Sequence, residues 1–176
     1  MKEYLTESYT REMQAFSSAF DCGNDNLNFF LKSSLALDLN YGKTYVLLND
    51  SRNRIVGYYC LTTGLIEQDG VKIGGSVHIR DFALDRKYQG IVQYELPNGE
   101  ILKLSDVLLM DCLDRIKDIR SSHIGFSMIS LFSTLEGESL YLRNGFDYAE
   151  EDMRLPKEED DGKTKPMYRP VDEIDV

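Results

Sequence analysis

Apolar residues recur along the chain with the spacing of helices in two places. The first lies between residues 24 and 40, where apolar side chains return every three or four positions. Asn24 or Asp25 is a suitable N-cap for this helix. A second, longer helix is predicted to begin with Ser105 as its cap. Its apolar stripe consists of Leu108, Leu109, Cys112, Leu113 and Ile116.

Runs rich in β-branched and aromatic residues separate these helical patterns and predict strands. Turn residues at 50–53 join the first two runs into a hairpin, while Gly70, Gly74 and Gly75 indicate a loose connection to the third. The last run contains two prolines, so it is predicted to lie at the edge of a sheet. The predicted strands cover residues 44–49, 54–64, 77–84, 124–132 and 166–170.

A short helix is predicted between the last two strands. Thr134 or Glu136 opens it, and Asn144 followed by Gly145 has the composition of a left-handed C-terminal cap. Strands and helices therefore alternate, which predicts an α/β class fold, an α+β sandwich with one mixed central sheet flanked by helices. The length of 176 residues suits a single domain over residues 1–176.

Composition limits where the protein works. No apolar run approaches the roughly 18 residues of a membrane span, and the N-terminal segment lacks the apolar centre of a signal peptide. Cys22, Cys60 and Cys112 have no metal-ligand or disulfide spacing, so we expect inert thiols and no metal site. These features predict a cytoplasmic protein without a membrane partner.

Charge limits the partners. Thirty acidic residues against twenty basic ones give a net charge of −10, which disfavours long-range attraction to nucleic acids or anionic membranes. Residues 150–161 hold much of this excess. They are interpreted either as a solvated acidic loop or as a lip that attracts a cationic acceptor.

Polar and small residues between the third strand and the second helix suggest a phosphate-binding loop. Gln89 and Gly90 follow the strand, and Lys103 precedes the helix. A helix N-terminus binds phosphate through unpaired N–H groups and its positive dipole end. The intervening residues 91–102 carry Asn98-Gly99 and are predicted as a hairpin insertion. The alternative is an ordinary capped helix after a long loop.

The order of these elements resembles the core of the GNAT N-acetyltransferases, nearest the branch that includes toxin-type acetyltransferases. Residues 20–31 resemble that branch's first helix and residues 55–61 its third strand. The ending Tyr141-Leu-Arg-Asn-Gly-Phe146 resembles its Tyr-x-x-x-Gly-Phe motif. The resemblance implies a GNAT-like acyl-CoA N-acyltransferase fold, acetyl-CoA as cosubstrate, and direct acetyl transfer to a primary amine in a ternary complex.

The resemblance also assigns roles to residues. Tyr141 matches the tyrosine that protonates the leaving thiolate, a role that suits a neutral phenol. Asp81 is the candidate general base, with His78 and Glu67 as weaker alternatives. Main-chain N–H groups on the strand polarise the thioester carbonyl. The residues implied to bind the cofactor are Phe82, Ala83, Leu84, Gln89, Gly90, Lys103, Leu104 and Ser105.

The acceptor is not readable from the sequence. Because of the net charge of −10, a small-molecule or protein amine is favoured over tRNA. Two alternatives stay open: a non-catalytic acyl-CoA-binding module, and a toxin-type acetyltransferase that acts on aminoacyl-tRNA. A homodimer also stays open.

Overall fold

The structure, a computed structural model, describes residues 3–156 and 162–171. Residues 157–161 of the acidic segment lie outside the described residues. No helix in the described ranges is long and apolar enough to cross a membrane. The helices are α1 (Asp25–Lys32), α2 (Leu104–Ser122) and α3 (Glu138–Arg143).

Short and long strands alternate with these helices. The first four are β1 (Glu7–Ser8), β2 (Lys43–Leu48), β3 (Ile55–Gln68) and β4 (Val71–Leu84). The remaining strands are β5 (Val92–Glu95), β6 (Ile101–Lys103), β7 (Met128–Ser133), β8 (Asp147–Tyr148), β9 (Met153–Arg154) and β10 (Lys165–Pro170).

The main sheet has the strand order β1-β2-β3-β4-β7-β10-β8, and β9 pairs with the far end of β3. Strands β4 and β7 run parallel, whereas β2 with β3 and β7 with β10 are antiparallel. The sheet is therefore mixed, as the sequence predicts. Strands β5 and β6 form a separate two-stranded sheet.

The described residues form two compact units. The first contains the chain up to Leu61 together with Asp81–Cys112, and the second contains Thr62–Arg80 together with the described residues after Cys112. The long strands β3 and β4 and the helix α2 each contribute to both units.

The core of the first unit forms where α1 covers the aromatic residues of β3. Phe30 and Tyr58 stack with their ring centroids 6.0 Å apart. The Tyr58 hydroxyl donates to the Leu27 carbonyl over 2.8 Å, so the buried phenol keeps a hydrogen-bond partner. Burial of a side chain such as Phe30 or Leu31 contributes about 1.5–3 kcal/mol each, which fixes α1 against the sheet.

Helix α1 begins as predicted but ends earlier. The Asn24 side chain accepts hydrogen bonds from the N–H groups of Asn26 and Leu27, at 3.0 and 3.2 Å. The predicted continuation to residue 40 is wrong, because Ser33 is extended and ends the helix. Its hydroxyl accepts the Leu35 N–H and starts a separate 3₁₀ turn.

Two glycines predicted to loosen a connection lie inside β4 instead. At Gly74 a Cβ atom would collide with the Ser127 hydroxyl, and Gly75 follows it in the same strand. On β3, Gly64 likewise faces the ring of Pro156 without room for a side chain. These glycines therefore permit close packing within the strands, and only Gly70 lies in the turn.

The final strand β10 is not an edge strand, contrary to the prediction. It pairs with β7 along its whole length and with β8 on its other side. The β8 pairing involves only Met167 and Tyr168, so neither Pro166 nor Pro170 lies opposite a β8 residue. The two-residue length of β8 explains how a strand with two prolines fits inside the sheet.

Within the first unit, the buried carboxylate of Asp111 on α2 joins the N-terminal segment to β3 and α2. It accepts the Leu5 N–H at 2.6 Å, the Thr6 hydroxyl at 2.5 Å and the Tyr59 hydroxyl at 2.9 Å. A buried charge is tolerated only when donors surround it in this way.

We expect Asp111→Ala to lower the free energy of unfolding by about 3 kcal/mol or more, because it leaves buried hydroxyl donors without their acceptor. Tyr59→Phe, which removes one donor and keeps the carboxylate, should cost only about 1 kcal/mol. Urea denaturation of both variants measures the difference. Equal losses would show that the carboxylate does not hold this network together.

Candidate active site

The loop after β4 is anchored by the buried carboxylate of Asp85. One oxygen accepts the Lys87 N–H at 2.9 Å and the other accepts the Asp21 N–H at 3.1 Å. The Asp85 N–H itself donates to the Val56 carbonyl at 2.8 Å. Asp85 therefore fixes the backbone where the strand becomes a loop.

Gln89 bonds to the main chain of this loop. Its side-chain amide donates to the carbonyls of Leu84 at 2.8 Å and Cys22 at 3.0 Å. The following Gly90 has φ +75 and is exposed, with no atom within 4 Å of the place where a Cβ would stand. Gly90 therefore serves the left-handed backbone conformation rather than a close contact.

The segment of residues 91–102 contains the antiparallel pair β5 and β6. Two main-chain hydrogen bonds close the tip. The Leu96 N–H donates to the Glu100 carbonyl at 2.7 Å, and the Gly99 N–H donates to the Leu96 carbonyl at 2.8 Å. Ile91, Val92, Tyr94 and Ile101 are exposed. Residues 91–102 therefore form an exposed hairpin that connects Gly90 to the start of α2.

Helix α2 begins at Leu104, one residue before the predicted cap, so Ser105 lies in its first turn. The Lys103 N–H donates to the Asp106 carboxylate at 3.0 Å, and the Leu104 N–H donates to the Ile91 carbonyl at 2.9 Å. Asp106 is only 3% exposed. A buried carboxylate of the chain itself therefore caps the start of the helix.

The end of β4 provides the main chain predicted to face the thioester. Asp81 and Phe82 are half-buried, and Ala83 and Leu84 are buried. The parallel pairing of β4 with β7 ends at Ile79, while β4 continues to Leu84.

Gly57 on β3 allows α2 and the end of β4 to pack closely within the first unit. A Cβ atom at this position would lie 2.9 Å from the side chains of both Leu84 and Leu108, and 3.0 Å from the Ala83 carbonyl oxygen. The strand end and the helix start are therefore packed together in the first unit, which also contains the loop residues predicted to bind the cofactor.

Tyr141 lies on α3 in the second unit and is 7% exposed. Its ring meets Phe146 edge-on, with the centroids 5.7 Å apart. The turn after α3 follows the predicted cap, since Gly145 has φ +81 and the Phe146 N–H donates to the Tyr141 carbonyl at 3.1 Å. The aromatic ring is thus held by packing on both sides of this turn.

The two weaker candidates for the general base, His78 and Glu67, make contacts within the second unit. His78 is buried, and its Nδ1 lies 2.8 Å from the Ser130 hydroxyl. Glu67 lies opposite Arg154 in the β3–β9 pair. Burial raises the pKa of the Cys22 thiol, so it is protonated at neutral pH and is not a nucleophile.

Basic side chains of the first unit cluster only in part. Arg54 and Lys87 line one surface depression together with Phe16 and Tyr88. By contrast, the Arg52 guanidinium bonds to Glu7 at 2.7 Å. Arg86 pairs with Asp21 at 3.4 Å, and Arg80 belongs to the second unit.

Sequence reasoning missed Asp21 and Asp85, and it missed the cap that Asp106 forms at the start of α2. Hydrogen bonds from Asn28 and the Gly23 N–H lower the pKa of Asp21, which keeps it charged beside Asp85. Asp106 lies three positions after Lys103, which is the spacing of a capping box, but Lys103 is not a typical capping residue and the predicted cap was Ser105. Asp21 and Asp85 are 64 residues apart in sequence, so no local pattern predicts their contact.

In residues 3–156 and 162–171 there is no group of three or more His, Cys, Asp or Glu side chains that could hold a metal ion. No protein-family model matches the sequence. No curated protein matches it either.

Solved structures do match, over nearly the whole chain. A tyrosine-to-phenylalanine mutant of the toxin AtaT, bound to the C-terminus of the antitoxin AtaR, aligns with a TM-score of 0.72 and 20% identity, covering 99% of this chain and 97% of that one. The chain has the GNAT fold. This confirms the fold that the motif order implies.

Two further structures agree with this GNAT fold. A chain of the KacTA–DNA complex aligns with a TM-score of 0.69 and 23% identity, covering 98% of this chain and 96% of that one. AtaT complexed with acetyl-methionyl-tRNAfMet aligns with a TM-score of 0.70 and 17% identity, covering 98% of each chain. AtaT has also been solved with acetyl-CoA.

We expect that replacing residues 91–102 by Gly-Ser-Gly leaves the GNAT fold intact, because the exposed hairpin contributes no member of the buried core. Solubility and the far-ultraviolet circular dichroism spectrum of the shortened chain measure this. Loss of soluble expression would contradict the expectation and assign the hairpin a role in folding.

Proposed function

We propose that this protein is an acetyl-CoA-dependent N-acetyltransferase that acetylates the α-amine of aminoacyl-tRNA by direct transfer. The observation that carries the proposal is the full-length likeness to AtaT, which has been solved with acetyl-methionyl-tRNAfMet. This favours the acceptor that ranked behind small-molecule and protein amines in the sequence analysis. Another matching structure is that of a bacterial toxin.

The chemistry of the acceptor supports the same choice. At pH 7, deprotonating a lysine amine with a pKa of about 10.4 costs roughly 4.6 kcal/mol, whereas an α-amine with a pKa of about 7.8 costs only about 1 kcal/mol. An α-amine therefore needs little help from a base. We propose Asp81 as this base, acting directly or through water, because His78 is buried against Ser130.

Acetyl-CoA, when bound, supplies the acetyl thioester. Main-chain N–H groups of Phe82, Ala83 and Leu84 are proposed to polarise its carbonyl, since fixed donors stabilise an oxyanion without reorganising. Tyr141 is proposed to give its proton to the leaving thiolate. Its neighbours Phe146 and Gly137 hold the ring in place, which favours a fixed proton donor.

The start of α2 fits the diphosphate of this cosubstrate poorly. The Lys103 and Leu104 N–H groups are bound within the chain, and the Gln89 amide is bound to main-chain carbonyls. Among the donors predicted to bind it there, these bonds do not involve the Ser105 N–H and hydroxyl or the Lys103 ammonium group.

Because donors at the start of α2 are bound within the chain, a second candidate function is favoured. It is a GNAT-fold module that binds a partner or an acyl group without turnover. Such a module would release no thiol from acetyl-CoA with any acceptor. Thiol release from acetyl-CoA therefore separates the two functions.

We expect Tyr141→Phe to slow turnover about 10²–10⁴-fold, the usual size of a general-acid contribution. Donor affinity should be unchanged, because the ring and its packing remain. Thiol release detected with a dye measures turnover. Tyr148→Phe, at an exposed tyrosine of the same unit, is the matched control and should retain wild-type activity. An unaltered rate for Tyr141→Phe would leave Tyr141 as a core residue.

The acceptor is tested by incubating the protein with labelled acetyl-CoA and either charged tRNA or a panel of amines and lysine peptides. We expect label on the aminoacyl-tRNA, with activity falling as salt rises, because every phosphate contact releases counterions. Arg54→Glu and Lys87→Glu should weaken this activity if their shared depression receives phosphate. Label on amines or peptides alone would overturn the proposed acceptor.

A further inference from the structure

Two of the N–H donors at the start of α2 are already bound within the chain. The first four N–H groups of a helix have no partner inside the helix, and this shortage is what makes a helix start bind phosphate. Here Lys103 donates to the Asp106 carboxylate at 3.0 Å and Leu104 donates to the Ile91 carbonyl at 2.9 Å. The hairpin therefore takes one donor and a side-chain carboxylate takes another.

The charge at this position also opposes a diphosphate. Asp106 is 3% exposed, so its carboxylate is poorly screened by water. Interactions between charges strengthen in such surroundings. The Asp106 carboxylate already occupies the positive end of the helix dipole, where a negative charge is favourable. A diphosphate placed there would be repelled by this buried carboxylate.

The loop before the hairpin adds no compensating donor from its predicted glutamine. The Gln89 amide nitrogen bonds to the Leu84 and Cys22 carbonyls. Those contacts hold the loop to Cys22 and to the end of β4 within the first unit. Turning the amide toward a ligand would break both bonds and leave two carbonyls without their donor.

We infer that Asp106 is a specificity-determining residue that excludes a diphosphate from the start of α2. The protein then recognises its donor by the acetyl-pantetheine arm, so the substrate class is acetyl thioesters of pantetheine with or without the nucleotide. This inference rests on the proposed acetyl transfer.

The first test compares acetyl-CoA with acetylpantetheine, which lacks the diphosphate, by calorimetric titration of the wild-type protein. We expect the two dissociation constants to agree within about tenfold. Acetyl-CoA binding more than about a hundredfold tighter would overturn the inference and leave the proposed function standing. Failure of both donors to bind would contradict the inference and the proposed function together.

The second test uses Asp106→Asn, which removes the charge and keeps an oxygen to accept the Lys103 N–H. We expect acetyl-CoA to bind about tenfold more tightly to this variant, since a charge at a partly buried helix end is worth roughly that factor. Binding of acetylpantetheine should not change. Asp50→Asn, in an exposed turn, makes the same change in net charge and should alter neither donor.

Thermal melting of Asp106→Asn confirms that the comparison is made on folded protein. A variant that melts like wild type and binds both donors as wild type does would contradict the role of Asp106. An equal gain for both donors would also contradict it, because the effect would then not depend on the diphosphate.

Discussion

Buried carboxylates have to be surrounded by hydrogen-bond donors, and this requirement fixes the loop between β4 and α2. At the end of the strand, the Asp85 carboxylate accepts hydrogen bonds from the N–H groups of Asp21 and Lys87. At the start of the helix, the Asp106 carboxylate accepts one from the Lys103 N–H. Between these two points, the Gln89 amide binds main-chain carbonyls. The loop is therefore shaped by bonds within the chain before any ligand arrives.

This constraint changes what the GNAT fold offers at its helix start. A fold match at about 20% identity shows the architecture, while the chemistry depends on the side chains that this chain places there. The hairpin and Asp106 occupy two of the donors that a phosphate would use, the N–H groups of Leu104 and Lys103. Neither feature involves the main chain of Phe82–Leu84, so the proposed acetyl transfer does not require a diphosphate at the start of α2.

Local signals predicted much of the fold. Asn24 caps α1 and Gly145 ends α3 with a positive φ, because both effects act within a few residues. The apolar stripe of α2 is buried, Leu108 and Ile116 included, because helical spacing alone brings it to one face. The interior position of β10 was not predictable from its prolines, since it depends on how short β8 is. The contacts of Asp85 and Asp111 join distant segments, so periodicity contains no information about them.

The most direct test of this account is a crystal structure of the protein with acetyl-CoA. The account predicts that the acetyl-pantetheine arm lies beside the main chain of Phe82–Leu84, with the hydrogen bond between the Lys103 N–H and the Asp106 carboxylate intact. A diphosphate bound to the N–H groups at the start of α2, with the Asp106 carboxylate displaced, would contradict it.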